Sequence, residues 1–125
     1  MLTRLLKAKI HHAVVTQTNP DYHGSITIDR ELLKFCDLLP YEAVLIADCE
    51  NANRFETYII PGEPGSGVIE INGAAAKLSK VGHRVIIMAF GLYDSAEVQD
   101  HQAKVIVMNK DNTVRETIVH RAMED

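Results

Sequence analysis

Tyr22-His23-Gly24-Ser25-Ile26-Thr27-Ile28-Asp29 is the stretch from which the rest of the chain can be read. Asn19-Pro20-Asp21 just ahead of it is turn chemistry. Ile26-Thr27-Ile28 alternates as a short strand, and Gly24 takes unusual backbone angles at little cost. A hydroxyl nucleophile, Ser25, therefore sits where a loop becomes a strand. Taken alone, Gly24-Ser25 is an ordinary turn signal, because Gly permits the bend and Ser bonds local backbone. Gly65-Ser66 is a second copy of the dipeptide, with no chemistry assigned to it.

Working outward, Asp29 reads as the N-cap of a helix over Arg30–Cys36. Glu31 suits the first turn, and Leu32, Leu33, Phe35 and Cys36 are expected as its buried stripe. Pro40 ends any continuation. Upstream, residues 2–17 read as extended. One parity carries Ala8, Ile10, His12 and Val14, the other Lys9, His11, Ala13 and Val15, and neither is cleanly apolar. A strand places Lys9 and His11 on one side. Thr18 to Gly24 is a loop. Downstream, Glu42–Cys49 and Arg54–Ile60 are strands around the turn Asn51-Ala52-Asn53, a hairpin signal. Residues 61–67 are an exposed Pro- and Gly-rich loop. Val68–Ile71 is a strand, Asn72-Gly73 a turn, and Ala74–Leu78 a short helix. His83–Phe90 is strongly apolar. Ala103–Met108 and Thr113–Val119 are weaker strands, and the end from His120 is expected to fray.

The chain has 125 residues, the size of a single domain over 1–125. A net charge of -4 provides no basic footprint for nucleic acid. The longest apolar run, Val85 to Tyr93, is far short of the roughly 20 residues that span a bilayer. No membrane partner is expected. Arg4, Lys7 and Lys9 interrupt any apolar signal core. Cys36 and Cys49 have neither disulfide-framework nor zinc spacing, so no metal is expected and both thiols read as reduced and cytoplasmic. Many short strands with two or three short helices point to a small, mainly β barrel.

Lys9-Ile10-His11, Gly24-Ser25, Arg54-Phe55-Glu56-Thr57-Tyr58 and Ile71-Asn72-Gly73-Ala74-Ala75-Ala76 occur in this order. In order and spacing, from the N-terminus to about Phe90, they resemble the pyruvoyl-dependent aspartate 1-decarboxylase family. The resemblance implies a double-psi β-barrel and a homotetramer with sites between neighbouring subunits. It implies cleavage between Gly24 and Ser25 into residues 1–24 and 25–125. In that chemistry Ser25 attacks the Gly24 carbonyl and forms an ester. β-Elimination then cuts the chain, and the dehydroalanine left at 25 loses ammonia by hydrolysis to become pyruvoyl. The family leaves room for a maturation partner. Its substrate is L-aspartate and its products are β-alanine, for pantothenate synthesis, and CO₂.

The chemistry explains why these residue types are needed. Decarboxylating an amino acid leaves a carbanion beside nitrogen, which needs an electron sink. The sequence has no phosphate cradle for pyridoxal phosphate, whereas a ketone built into the chain serves the same end through a Schiff base. The resemblance assigns Thr57 as hydroxyl donor to the first oxyanion and Asn72 as a holder of the cleavage loop. Arg54 and Lys9 take one substrate carboxylate, and the N–H groups of Gly73, Ala74 and Ala75 take the other. The resemblance assigns to Tyr58, through its phenol hydroxyl, the return of the proton to the α-carbon. His11 and Tyr22 shape the site. Read from residue type alone, Thr57 is a strand residue, Arg54 and Lys9 are surface charges, Tyr58 is a core tyrosine, and His11 is a structural histidine. In a regular strand Arg54 and Tyr58 share a face that Thr57 does not, so one site needs either a bulge or two subunits. Ala8, His12 and Pro20 stand where glycine, arginine and leucine are usual, which bears on the rate of maturation. Two alternatives remain open: an uncleaved, non-catalytic β-barrel binding module, and a pyruvoyl decarboxylase for another acidic amino acid.

Overall fold

The computed structural model describes residues 1–123. In chain order it comprises β1 (Thr3–Val14), β2 (Gln17–Asn19), β3 (Ser25–Asp29), α1 (Arg30–Cys36), β4 (Ala43–Asp48) and β5 (Arg54–Gly62). Then come β6 (Ile69–Asn72), a 3₁₀ helix (Gly73–Leu78), β7 (Arg84–Tyr93), α2 (Ser95–Gln99), β8 (Gln102–Met108) and β9 (Val114–Arg121). The strands join in the order β2-β6-β3-β5-β4-β7-β1-β8-β9. Three pairs, β1–β8, β2–β6 and β3–β5, are parallel and the rest antiparallel. β1 runs directly on towards β2, and the link is tied by Val15 N–H to His83 O and Thr16 N–H to Ile69 O. The sheet thus curls round one core, the mainly β, barrel-like fold that the resemblance implies. Its mixed pairing fits the crossed connections of a double-psi barrel.

The core is aliphatic. Ile10, Ile87, Ile46 and Phe55 form one row across β1, β7, β4 and β5, and the three isoleucines are fully buried. Ile26, Ile59 and Ile71 continue it across β3, β5 and β6. Such β-branched side chains fill a pleated surface closed on both sides. Burying each stabilises the fold by about 1.5–3 kcal/mol.

The mixed parity of β1 has a structural cause. Ala8 and Ile10 are buried, and so are Ala13 and Val15. An extra residue enters β1 between Ile10 and Ala13, and His12 adopts φ 65° there. This bulge moves the inward side from even to odd positions, so neither parity is apolar throughout.

Three local expectations are corrected. Phe35 is exposed, because it falls off the stripe that Leu32, Leu33 and Cys36 bury. Thr18 and Asn19, within the expected loop, pair with β6. At the C-terminus, β9 stays paired with β8 through Arg121, so the fraying expected from His120 does not begin there; residues 124–125 lie outside the described residues. α2 was not expected. Its signal, Asp94 followed three residues on by Glu97, is a capping box. Asp29 caps α1 as expected, accepting from Glu31 N–H at 2.9 Å. It also accepts from Gly65 and Gly67 N–H, which pins the 63–67 loop.

Asp48, at the end of β4, joins three segments. It is 2 % exposed and accepts from Ser79 Oγ at 2.7 Å, while His83 Nδ1 lies 2.8 Å away. Burial opposes its charge, but the bonds from Ser79, His83 and the Glu50 N–H outweigh this and hold its pKa below the ordinary value. Asp48→Asn is expected to cost about 1–3 kcal/mol at neutral pH, read by urea denaturation. With a lowered folded pKa, the contribution of Asp48 is full above the ordinary carboxylate pKa and fades as pH falls through its own lower value. The variant should therefore show a flatter acid limb of stability. Parallel limbs would mean that Asp48 is not the group titrating.

Candidate functional site

Ser25 opens β3 directly opposite Asn72, the last residue of β6. It is 1 % exposed, and its Oγ donates to His23 O at 2.9 Å. Asn72 is fully buried and donates from Nδ2 to Ser25 Oγ at 3.0 Å and to Thr27 Oγ1 at 3.1 Å. Its Oδ1 is buried with no partner among the described residues. An orphaned acceptor of this kind costs stability unless something else supplies a donor. Asn72 is therefore engaged with the serine on one side and poised for a further hydrogen bond on the other.

Asn72 is also the N-cap of the 3₁₀ helix, yet its side chain does not cap it. Helix geometry leaves the first-turn N–H groups, those of Gly73, Ala74 and Ala75, without partners inside the helix. Gly73 has φ 77°, a left-handed conformation that other residues resist. A Cβ at Gly73 would lie 2.5 Å from Gly24 Cα and 3.3 Å from Tyr22 O. A Cβ at Gly24 itself would meet nothing within 4 Å. Tyr22, Gly24, Ser25, Asn72 and Gly73 are thus brought together. Tyr22 is exposed, its ring edge-on to His23 at 5.4 Å.

The other expected residues lie on a different surface. Lys9, Met88, Leu45 and Glu56 form a row across β1, β7, β4 and β5, next to the buried isoleucine row and facing away from it. Two residues either side of Glu56, Arg54 and Tyr58 share that outward face. Thr57 points inward. The β4–β5 ladder is regular from Ala43–Tyr58 to Ala47–Arg54, so no bulge in that stretch reconciles Thr57 with its neighbours. Thr57 and Tyr58 precede Ile59, the β5 partner of Ile26, just as Gly24 and Ser25 precede Ile26. Both pairs therefore lie at the same end of the β3–β5 ladder. Tyr58 is partly exposed and stacks on Tyr41 at 6.1 Å. His11 stacks on His12 at 3.9 Å, and its Nδ1 is buried without a partner. Burial first, then the charges of His12, Lys9 and Arg115, push its pKa below the ordinary histidine value.

The outward face is apolar between its charges. Leu45, Met88 and Phe90 line a shallow cleft of about 80 Å³, bounded by Arg4 and Glu56, with Arg4 over the Phe90 ring at 4.2 Å. Larger clefts of about 440, 520 and 500 Å³ lie elsewhere, and none is lined by Ser25, Arg54 or Tyr58. Among the described residues no group of three His, Cys, Asp or Glu side chains converges as a metal site, and no helix is long and apolar enough to cross a membrane.

Reading the sequence missed Thr27 and the His23 carbonyl. Thr27 was accessible in principle, since it lies two residues beyond Ser25 on a strand and so on the same side.

Fold and site together define a small β-barrel in which a buried serine, at a loop-to-strand junction, is held by an asparagine and backed by a glycine-opened 3₁₀ helix. The sequence model of one family, "Aspartate decarboxylase", matches residues 1–115. The aspartate 1-decarboxylase of Staphylococcus aureus (strain MSSA476) is 50 % identical over 118 residues, covering 94 % of this chain and 93 % of its own. That of Listeria innocua is 49 % identical over 114 residues, covering 91 % and 90 %. The chain belongs to the aspartate decarboxylase family.

The contrast between the two glycines is testable. Gly73→Ala places a methyl in the backbone of Gly24 and is expected to lose more than about 1–2 kcal/mol from the left-handed strain alone. Gly24→Ala has open space and should change stability by less than about 0.5 kcal/mol. Equal urea midpoints for the two variants would contradict the close approach.

Proposed function

We infer that this protein decarboxylates L-aspartate to β-alanine and CO₂, for pantothenate synthesis, using a pyruvoyl group made from its own Ser25. The observation that carries this reading is the Gly24–Ser25–Asn72–Gly73 constellation, found in a chain that belongs to the family. The residues present fit such a group. Asn72 already addresses Ser25 Oγ, its Oδ1 waits for a donor, and the missing Cβ of Gly73 leaves room at Gly24.

Self-cleavage starts at Ser25. Its Oγ turns from His23 O and adds to the Gly24 carbonyl carbon to give a tetrahedral oxyanion. The C–N bond then breaks as the hydroxyl proton passes to the departing nitrogen, leaving an ester. β-Elimination cuts that ester before water releases ammonia from the dehydroalanine at 25. Asn72 Nδ2 stays within reach of Oγ and steadies it. Thr57, at the same end of the ladder, supplies a hydroxyl to the oxyanion. One such donor contributes about 2.7–4 kcal/mol in comparable acyl chemistry. Breaking the chain frees residues 22–24, which are exposed, to move off an otherwise buried position 25.

When formed, the pyruvoyl group supplies the ketone that takes the substrate amine and the sink for the electrons left by CO₂. The chain's side chains do the rest. Arg54 pairs with one carboxylate through its fork of donors, and Lys9 adds a point charge. The N–H groups at Gly73–Ala75 hold the other carboxylate. Tyr58 hands a proton to the α-carbon. Lys9, Arg54 and Tyr58 leave the outward face, whereas Ser25 belongs to the β3–β6 ladder. A homo-oligomer, here a tetramer, brings the two sets together when one chain's outward face closes over its neighbour's Ser25 end. The half-buried Leu45, Met88 and Phe90 suit such a contact. Cys36 and Cys49 are unpaired, as a cytoplasmic location favours.

Mass spectrometry should find two fragments, 1–24 and 25–125, the longer lighter by one ammonia than a chain that starts with serine. Borohydride with aspartate should attach substrate to the longer fragment, and glutamate should compete poorly. Ser25→Ala should show neither cleavage nor adduct. Tyr58→Phe should cleave yet lose about 10²-fold or more in turnover. A single full-length mass after prolonged warming, unchanged when a maturation factor is supplied, would refute the reading.

A further inference from the structure

The far end of the 3₁₀ helix is gripped by the turn between β4 and β5. Leu78 O, its last carbonyl, accepts from Asn51 Nδ2 at 3.0 Å and from Asn53 Nδ2 at 2.9 Å. The next residue, Ser79, donates to buried Asp48 at the start of the same turn. The turn is stiffened internally. Asn53 N–H donates to Asn51 Oδ1 at 2.8 Å, Glu50 N–H to Asp48 Oδ1 at 2.8 Å, and Ala52 holds φ 63°. Arg84 fastens its outer side through Glu50. Two asparagines converging on one carbonyl, with a hydroxyl–carboxylate bond beside them, exceed what ending a six-residue helix requires.

The near end of that helix is Gly73, pressed against Gly24 with no room for a methyl. The six residues of this 3₁₀ helix rise only about 2 Å each, so a shift at Leu78 is carried to where Gly73 meets Gly24. We propose that Asn51 and Asn53, with Asp48 acting through Ser79, are positioning residues for self-cleavage: they hold the 3₁₀ helix so that Gly73 presses the Gly24–Ser25 peptide into the geometry in which Ser25 attacks. None of these side chains touches the reacting atoms. The inference rests on the self-processing reading above.

The test is the half-time of Gly24–Ser25 cleavage, followed by intact-mass spectrometry on freshly made full-length chain. Asn51→Ala/Asn53→Ala should lengthen it at least threefold and, because the same helix carries the N–H groups of Gly73–Ala75, should raise the KM for aspartate per cleaved chain more than it lowers kcat. Asn109→Ala, which removes a bond to Thr113 in the distant β8–β9 turn, controls for general loosening and should leave the half-time unchanged. If the double variant does not fold, Asn53→Ala alone keeps the Asn51 bond and should still slow cleavage. A half-time within twofold of the parent overturns the proposal, as does equal slowing by Asn109→Ala at matched thermal stability. A parent chain that never cleaves fails the functional reading itself, a separate result.

Discussion

Gly73 lies against Gly24 with no space for a side chain between them, and the arrangement of the site depends on that approach. It requires a residue that tolerates φ 77° and lacks a Cβ, and glycine alone meets both conditions. Beside this contact the β3–β6 register sets Ser25 opposite Asn72, the Asn72 side chain turns away from its own helix, and the 3₁₀ helix begins with open N–H groups. One missing methyl thus brings the start of the 3₁₀ helix against the backbone that precedes Ser25.

Asn72 shows how the fold divides its work. A helix N-cap normally satisfies a first-turn N–H with its own side chain. Here the side chain serves Ser25 and Thr27 instead, with one oxygen left unpaired at full burial. Leaving that acceptor unmet costs stability, of order 1–3 kcal/mol. Local departures of this sort gather at functional sites. The aliphatic rows around the site provide the compensating rigidity.

Much of the site was legible because its residues lie in short motifs whose spacing has a direct geometric meaning. Gly24-Ser25 before an alternating run places a hydroxyl at a strand's start, and Asn72-Gly73 before an alanine run places a turn at a helix entry. Less legible was anything requiring two strands to be brought side by side. The split parity of β1 looks like a weak strand until the bulge at His12 is known. The conflict between Thr57 and its neighbours on β5 was visible in the sequence, but its resolution was not. The strand is regular, so Arg54 and Tyr58 stay on the outward face. The grip of Asn51 and Asn53 on Leu78 was also hidden, because an Asn-Ala-Asn turn looks the same whether or not it holds anything.

By itself the sequence determined most of the elements, the family and the candidate serine, because propensity, alternation and motif spacing act over a few neighbouring residues. Only the tertiary structure decided which side chains meet. Whether Asn72 reaches Ser25, and whether Lys9, Arg54 and Tyr58 share one surface, depends on ladder register between strands distant in sequence. Shifting a strand by one residue turns each of its side chains to the opposite face, and no local signal records that choice.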